Sequence, residues 1–80
     1  MKEYVVYMND NNEVDSCKTL AAAYLLIQDC KRQDKLCKIP DMKYYIRIEE
    51  TTDKFRYISN PMKIYRRKNK VFAKEIKGGI

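Results

Sequence analysis

The sequence predicts an α+β fold, with a small antiparallel sheet of about three to five strands and one helix packed on one face. Three observations support this class. A central segment carries apolar residues at helical spacing, and the segments around it are rich in the strand-forming residues Val, Ile and Tyr. The turn signals between them give the order β-α-β-β followed by one more hairpin, with no long structureless loop. Eighty residues suffice for a single domain, which we expect to span 1–80.

The first element is a strand over Glu3–Met8. The segment KEYVVYM is rich in Val and Tyr, and the turn-forming residues NDNN follow it. Apolar side chains fall at successive positions, so both faces of this strand are apolar. The sequence therefore predicts a strand that is central or covered on both faces.

The clearest element is a helix over Thr19–Lys35. Thr19, or alternatively Ser16 or Asp15, caps its first turn through a side-chain oxygen. One stripe along this helix is apolar and is expected to face the sheet; it consists of Leu20, Ala23, Tyr24, Ile27 and Cys30. Leu25 lies nearly opposite the stripe, and a homodimer through Leu25 or through an edge strand is one prediction.

The segment KYYIRIEETTDKFRYIS predicts a β-hairpin. With Thr51-Thr52 as a two-residue loop, Ile48 lies opposite Phe55 and Arg47 lies opposite Arg56. This register separates an apolar face from a charged face, and a one-residue slip would mix them. Thr-Thr is not a favoured pair in such a loop, so a four-residue loop of the same parity is the alternative.

The last segment, residues 61–77, contains the basic stretch IYRRKNKVFAKEIK and is compatible with two structures. As a helix it would begin at Pro61, after a capping Asn, and end at the two glycines. As a hairpin that turns at Lys68-Asn69, it pairs Tyr65 with Phe72 and keeps an apolar face in both arms. We favour the hairpin, because the helix would leave apolar residues on its solvent side. Residues 77–80 are expected to fray.

Charge is distributed unevenly along the chain, whose net charge is +6. Residues 1–53 carry eight Lys or Arg against ten Asp or Glu, whereas residues 54–80 carry nine against one. A strongly basic segment after a weakly acidic one indicates an anionic partner, either nucleic acid or an acidic protein.

The composition argues against catalysis and against a bound cofactor. The chain has no His, and its two glycines stand together near the C-terminus, so it has no Gly-rich phosphate loop. Its cysteines, Cys17, Cys30 and Cys37, have no CxxC spacing. We therefore predict a non-enzymatic protein without metal or cofactor. An odd number of cysteines, without a leader-like or membrane-spanning apolar segment, predicts a cytoplasmic protein that does not contact the membrane.

The leading hypothesis is a small nucleic-acid-binding protein whose basic C-terminal segment contacts phosphates. The alternative is a protein-interaction module, an adaptor or inhibitor of phage or mobile-element type, whose basic patch binds an acidic protein. The candidate contacts in either case are Lys63, Arg66, Arg67, Lys68, Lys70, Lys74, Arg56 and Arg47. Tyr65 and Tyr45 are the candidates for stacking on bases, and Phe72 supplies a further aromatic ring in the basic segment.

Overall fold

The computed structural model describes residues 1–9, 11–39 and 42–76, and it confirms the α+β class. Within those residues an antiparallel sheet in the order β2-β1-β3-β5-β6 carries one helix, and β4 pairs with β3 beside β5. The elements are β1 (Lys2–Met8), β2 (Asn12–Cys17), α1 (Leu20–Leu36), β3 (Tyr44–Thr51), β4 (Arg56–Ile58), β5 (Met62–Arg67) and β6 (Lys70–Glu75). The predicted frayed tail, 77–80, lies outside the described residues.

Helix α1 packs on one face of the sheet, as its apolar stripe predicts. Ala23 and Ile27 of α1 are buried against Val6 of β1 and Ile46 of β3. Half-buried apolar side chains surround this core, namely Tyr4, Cys17, Leu20, Leu26, Tyr44, Met62, Ile64 and Ala73. The helix is neither long nor apolar enough to cross a membrane, and it is the one helix in the described part of the chain.

The start of α1 and its outer face also agree with what the sequence predicts. Thr19 is the N-cap, and its Oγ1 accepts a hydrogen bond from the backbone N–H of Ala22 at 3.1 Å. The first backbone N–H groups of a helix have no acceptor within the helix, and this bond satisfies one of them. Leu25 is exposed on the outer face, and a dimer contact through it stays a prediction.

Strand β2 was not predicted from the sequence. It pairs antiparallel with β1, with a register shift between Val6 and Tyr7. Its residues other than Cys17 are exposed. An edge strand of this kind is held by backbone hydrogen bonds, which any sequence can make, so the segment NEVDSC shows no apolar alternation.

The two-residue loop predicted for the β3–β4 hairpin, with its register, is wrong, and the alternative, a four-residue loop of the same parity, is the one observed. Glu49 lies opposite Ile58, and the connection is a four-residue loop over 52–55 that begins after Thr51. The backbone N–H of Thr52 donates to the carbonyl oxygen of Phe55 at 2.9 Å and closes this loop. Phe55 is therefore an exposed loop residue and does not lie opposite the core of β3.

The longer loop also separates the two arginines that the predicted register placed in opposition. Arg56 pairs with Thr51, and its guanidinium contacts Glu49 at 2.5 Å. Parity between the strands is unchanged, because Tyr57 lies opposite Glu50 and therefore on the same face of the sheet as Ile48, although its side chain is exposed. The sequence pattern fixes parity but not loop length, because each two-residue shift of a partner strand preserves the faces.

The C-terminal segment is a hairpin, and the helical alternative is excluded. Tyr65 lies opposite Phe72 and Ile64 opposite Ala73, as the hairpin interpretation predicts. Its two turn residues, Lys68 and Asn69, have φ angles of 49° and 66°. Positive φ at both central positions is the type I′ geometry, which matches the twist of the flanking strands.

Candidate nucleic-acid interface

The β5–β6 hairpin presents one face to α1 and the other to solvent. Ile64 and Ala73 pack toward the helix core, so their strand neighbours project from the opposite face of the sheet. On this outer face three cross-strand pairs follow one another, Lys63–Lys74, Tyr65–Phe72 and Arg67–Lys70. We call these six residues the basic platform.

Two aromatic rings form the centre of the basic platform. The rings of Tyr65 and Phe72 are stacked, with 5.6 Å between centroids and 26° between planes. Tyr65 is 38% exposed and Phe72 is 40% exposed. A pair of mutually supported aromatic rings that remains this accessible offers apolar surface to a planar ligand.

The four cations of the basic platform have no acidic partner among the described residues. The ion pairs found there are Arg32–Asp29 at 2.6 Å and Arg56–Glu49 at 2.5 Å, and neither involves the platform. The acid of the hairpin, Glu75, projects from the other face, where it accepts a hydrogen bond from Asn60 Nδ2 at 2.9 Å. The platform therefore has a positive electrostatic potential, which attracts anions.

Two predicted contact residues of the hairpin lie outside the platform. The guanidinium of Arg66 projects from the face that carries α1 and lies 5.8 Å from the centroid of the Tyr24 ring. Lys68 occupies the turn at the tip of the hairpin. Both cations are exposed, and Arg66 lies on the face opposite the stacked rings.

The remaining predicted arginines have partners within the protein. Arg47 is half-buried, its Nη1 donates to the carbonyl oxygen of Ser59 at 3.0 Å, and its guanidinium carbon lies 5.8 Å from the ring centroids of both Tyr7 and Tyr45. Arg56 is bonded to Glu49, and this hydrogen bond, more than the accompanying charge attraction, raises the pKa of Arg56. An anion would have to compete with these contacts.

The prediction that Tyr45 stacks on a base is wrong, because its side chain is fully buried. The ring stacks on Tyr7 of β1, with 5.3 Å between centroids. Its hydroxyl donates to Asn11 Oδ1 and accepts from the backbone N–H of Asn11, both at 3.1 Å. Strand β3 lies in the middle of the sheet, and side chains of Tyr7, Arg47 and Asn11 contact this residue.

The cysteines show no arrangement for a metal. Within the described ranges no group of three Cys, His, Asp or Glu side chains could hold a metal ion. Burial is the main cause that raises the pKa of the Cys17 and Cys30 thiols, so the thiolate that would act as ligand or nucleophile is disfavoured. Cys37 is exposed and free.

Sequence reasoning missed two lysines near the platform. Lys31 of α1 and Lys43, just before β3, line a cleft together with the platform residue Lys63. These residues are separated along the chain and belong to three different segments, so no sequence motif connects them.

The fold and this surface define a small α+β domain with a basic, aromatic face on its sheet. Comparisons of the chain with protein-family models, with curated proteins and with solved structures found no match.

Proposed function

We propose that this protein binds single-stranded nucleic acid on the basic platform and does not act as an enzyme. The observation that carries the proposal is the exposed Tyr65–Phe72 pair, flanked on both sides by cations on the same face. Aromatic rings stack on bases of any sequence, and Lys and Arg contact the phosphates between them.

The spacing of the platform suits a chain of nucleotides. Alternate residues of a strand are about 6.6–6.8 Å apart, so Lys63, Tyr65 and Arg67 form a row of cation, ring and cation along β5. Lys74, Phe72 and Lys70 form the matching row along β6. The stacked pair of rings between charged ends offers its exposed aromatic surface to bases, and the cations offer contacts to the adjoining phosphates.

The exposed rings favour single strands over a duplex. In a duplex the base faces are stacked inside the helix and cannot reach Tyr65 or Phe72. Duplex DNA would offer the platform phosphates alone, so it would gain only the salt-sensitive part of the binding energy. We therefore expect an unpaired strand, or the unpaired loop of a folded RNA, to bind more tightly than a duplex of equal length.

The first test replaces the two rings. Stacking contributes about 1–3 kcal/mol per base, so Tyr65→Ala with Phe72→Ala should weaken the binding of a short single-stranded oligonucleotide at least tenfold, measured by fluorescence anisotropy. The matched control is Phe55→Ala with Tyr57→Ala, which removes one Phe and one Tyr of 62% and 54% exposure outside the platform. Equal weakening by both double variants would contradict the stacking role.

The second test removes the platform charges. Neutralising Lys63, Arg67, Lys70 and Lys74 to Gln should reduce the slope of log affinity against log salt by about 3, since each phosphate contact on a single strand contributes about 0.7. The matched control neutralises the same residue types elsewhere, at Lys18, Arg32, Lys35 and Lys54. If the unmodified protein binds no oligonucleotide at about 50 mM salt, the proposed function is wrong.

An acidic partner protein is the second candidate, and the position of β6 favours it. β6 is last in the strand order, and two of its six residues are lysines. An acidic segment in extended conformation could pair with its outer edge and place carboxylates beside Lys70 and Lys74. Affinity capture from nuclease-treated lysate that recovers one defined acidic protein, and loses it when Lys70 and Lys74 are replaced by Glu, would support this candidate.

A further inference from the structure

A cleft opens where strands β3 and β5 diverge. The two strands share a single register pair, Ile46 with Met62. Beyond this pair, toward the start of β3, lies a cleft of about 370 Å³. Its walls are formed by Lys31, Met42, Lys43, Tyr44, Tyr45, Lys63 and Ile76.

Three cations from three segments meet at this cleft. Lys31 comes from α1, Lys43 precedes β3, and Lys63 belongs to β5. No acidic side chain of the described residues lines it. Asp34 follows Lys31 by three residues on α1, and its carboxylate accepts a hydrogen bond from the hydroxyl of Tyr44. Charges of one sign along apolar walls concentrate the electrostatic field, so this cleft should attract an anion of high charge density.

We propose that the cleft binds the terminal phosphate monoester of a single strand that lies on the basic platform. This inference rests on the proposed function. Lys63 belongs to both surfaces, so a strand that crosses the platform along β5 reaches the cleft at its end. The volume equals that of roughly twelve water molecules, which leaves room for a phosphate and part of its sugar.

Charge selects the terminal phosphate over the internal ones. An internal phosphodiester carries one negative charge, whereas a phosphate monoester carries about 1.5 to 2 at neutral pH and has an additional terminal oxygen. Three lysine ammonium groups match the larger charge and supply more donors than a diester can accept. Internal phosphates would pass along the platform, where the cations are distributed in two rows.

The test compares three forms of one single-stranded oligonucleotide, with a 5′-phosphate, with a 3′-phosphate, or with hydroxyls at both ends. The unmodified protein should bind at least one phosphorylated form about tenfold more tightly than the hydroxyl form, the increment of one hydrogen bond to a charged group. The form preferred shows which end of the strand occupies the cleft.

Variants then locate the preference. Lys31→Met with Lys43→Met should abolish the preference for a phosphorylated end and leave the affinity for the hydroxyl form unchanged, because neither lysine belongs to the platform. Lys18→Met with Lys54→Met removes the same charge from exposed positions outside the cleft and should retain the preference.

The possible results distinguish the cleft proposal from the proposed function of the platform. Equal binding of all three forms by the unmodified protein would overturn the cleft proposal alone, as would a preference that survives in the Lys31→Met, Lys43→Met variant. Failure of all three forms to bind would overturn the proposed function together with it.

Discussion

The hydroxyl of Tyr44 on β3 donates a hydrogen bond to Asp34 Oδ2 in the C-terminal half of α1, at 2.5 Å. This bond joins the helix to the sheet beside the proposed phosphate cleft, and the ring of Tyr44 forms part of the cleft wall. Tyr44→Phe should lower the free energy of unfolding by about 1–2 kcal/mol, because a partly buried carboxylate loses its donor. Urea unfolding followed by circular dichroism measures the change. An unchanged midpoint and slope would show that the bond does not contribute.

The same pair predicts a dependence on alkaline pH. Burial, and then the hydrogen bond and charge of Asp34, raise the pKa of Tyr44 above its ordinary value of 10.0. The folded protein therefore keeps this proton at a pH where the unfolded chain loses it. The stabilisation is complete below the unfolded pKa and is lost as pH rises above it.

Comparison with Tyr44→Phe isolates this proton from the other six tyrosines. The stability difference between the unmodified protein and the variant should be constant at neutral pH and should shrink as pH rises above about 10. Urea unfolding at several pH values measures it. A difference that does not change up to about pH 11 would show that Tyr44 ionises alike in both states.

The turn of the β5–β6 hairpin predicts an asymmetry between two substitutions at Asn69. Its φ of 66° is well tolerated by Asn and Gly but is costly for a β-branched residue. Asn69→Val should destabilise the protein by about 1–2 kcal/mol, whereas Asn69→Gly should retain or raise its stability. Thermal unfolding of both variants tests this, and equal melting temperatures would contradict the type I′ assignment.

Arg47 and Arg67 should respond oppositely to replacement, although both were predicted from sequence as anion contacts. Arg47 donates to Ser59 and lies over two tyrosine rings, so Arg47→Leu should lower stability by about 1–3 kcal/mol and change oligonucleotide affinity little. Arg67 is exposed on the platform, so Arg67→Gln should weaken binding and leave stability nearly unchanged. Urea unfolding and anisotropy on the same samples measure both effects.

Ser59 lies where the chain leaves β4 and enters β5, and its side chain is buried. Its Oγ accepts from the backbone N–H of Ile48 at 2.8 Å and donates to the carbonyl oxygen of Asn60 at 2.9 Å. Ser59→Ala leaves the Ile48 donor without its partner and should cost about 1–3 kcal/mol. Ser16→Ala on the exposed edge strand is the control and should change stability by less than about 0.5 kcal/mol. Equal small effects would contradict the role given to Ser59.

The candidate site was predictable in composition but not in geometry. All four platform cations and Tyr65 were among the candidates predicted from the sequence, because the residue types alone give charge and aromatic content. Tyr45 and Arg47 satisfied the same criteria, yet one is fully buried and the other is bonded to Ser59. The contacts that occupy them come from Tyr7, Asn11 and Ser59, each 12 or more residues away in the sequence, so local pattern could not distinguish Tyr45 and Arg47 from Tyr65 and Arg67.

The sequence by itself determined the features that depend on near neighbours. Helical spacing predicted the face of α1, and Thr19 was the first of three candidate caps. The Lys68-Asn69 turn predicted the pairing of the C-terminal hairpin. Tertiary structure alone decided the edge strand β2, the β3–β4 register, the burial of Tyr45 and the convergence of Lys31, Lys43 and Lys63. The physical reason is that alternation assigns a side chain to one face of its own strand. Which strands lie beside it depends on backbone pairing and packing between distant segments, whose energy no local pattern contains.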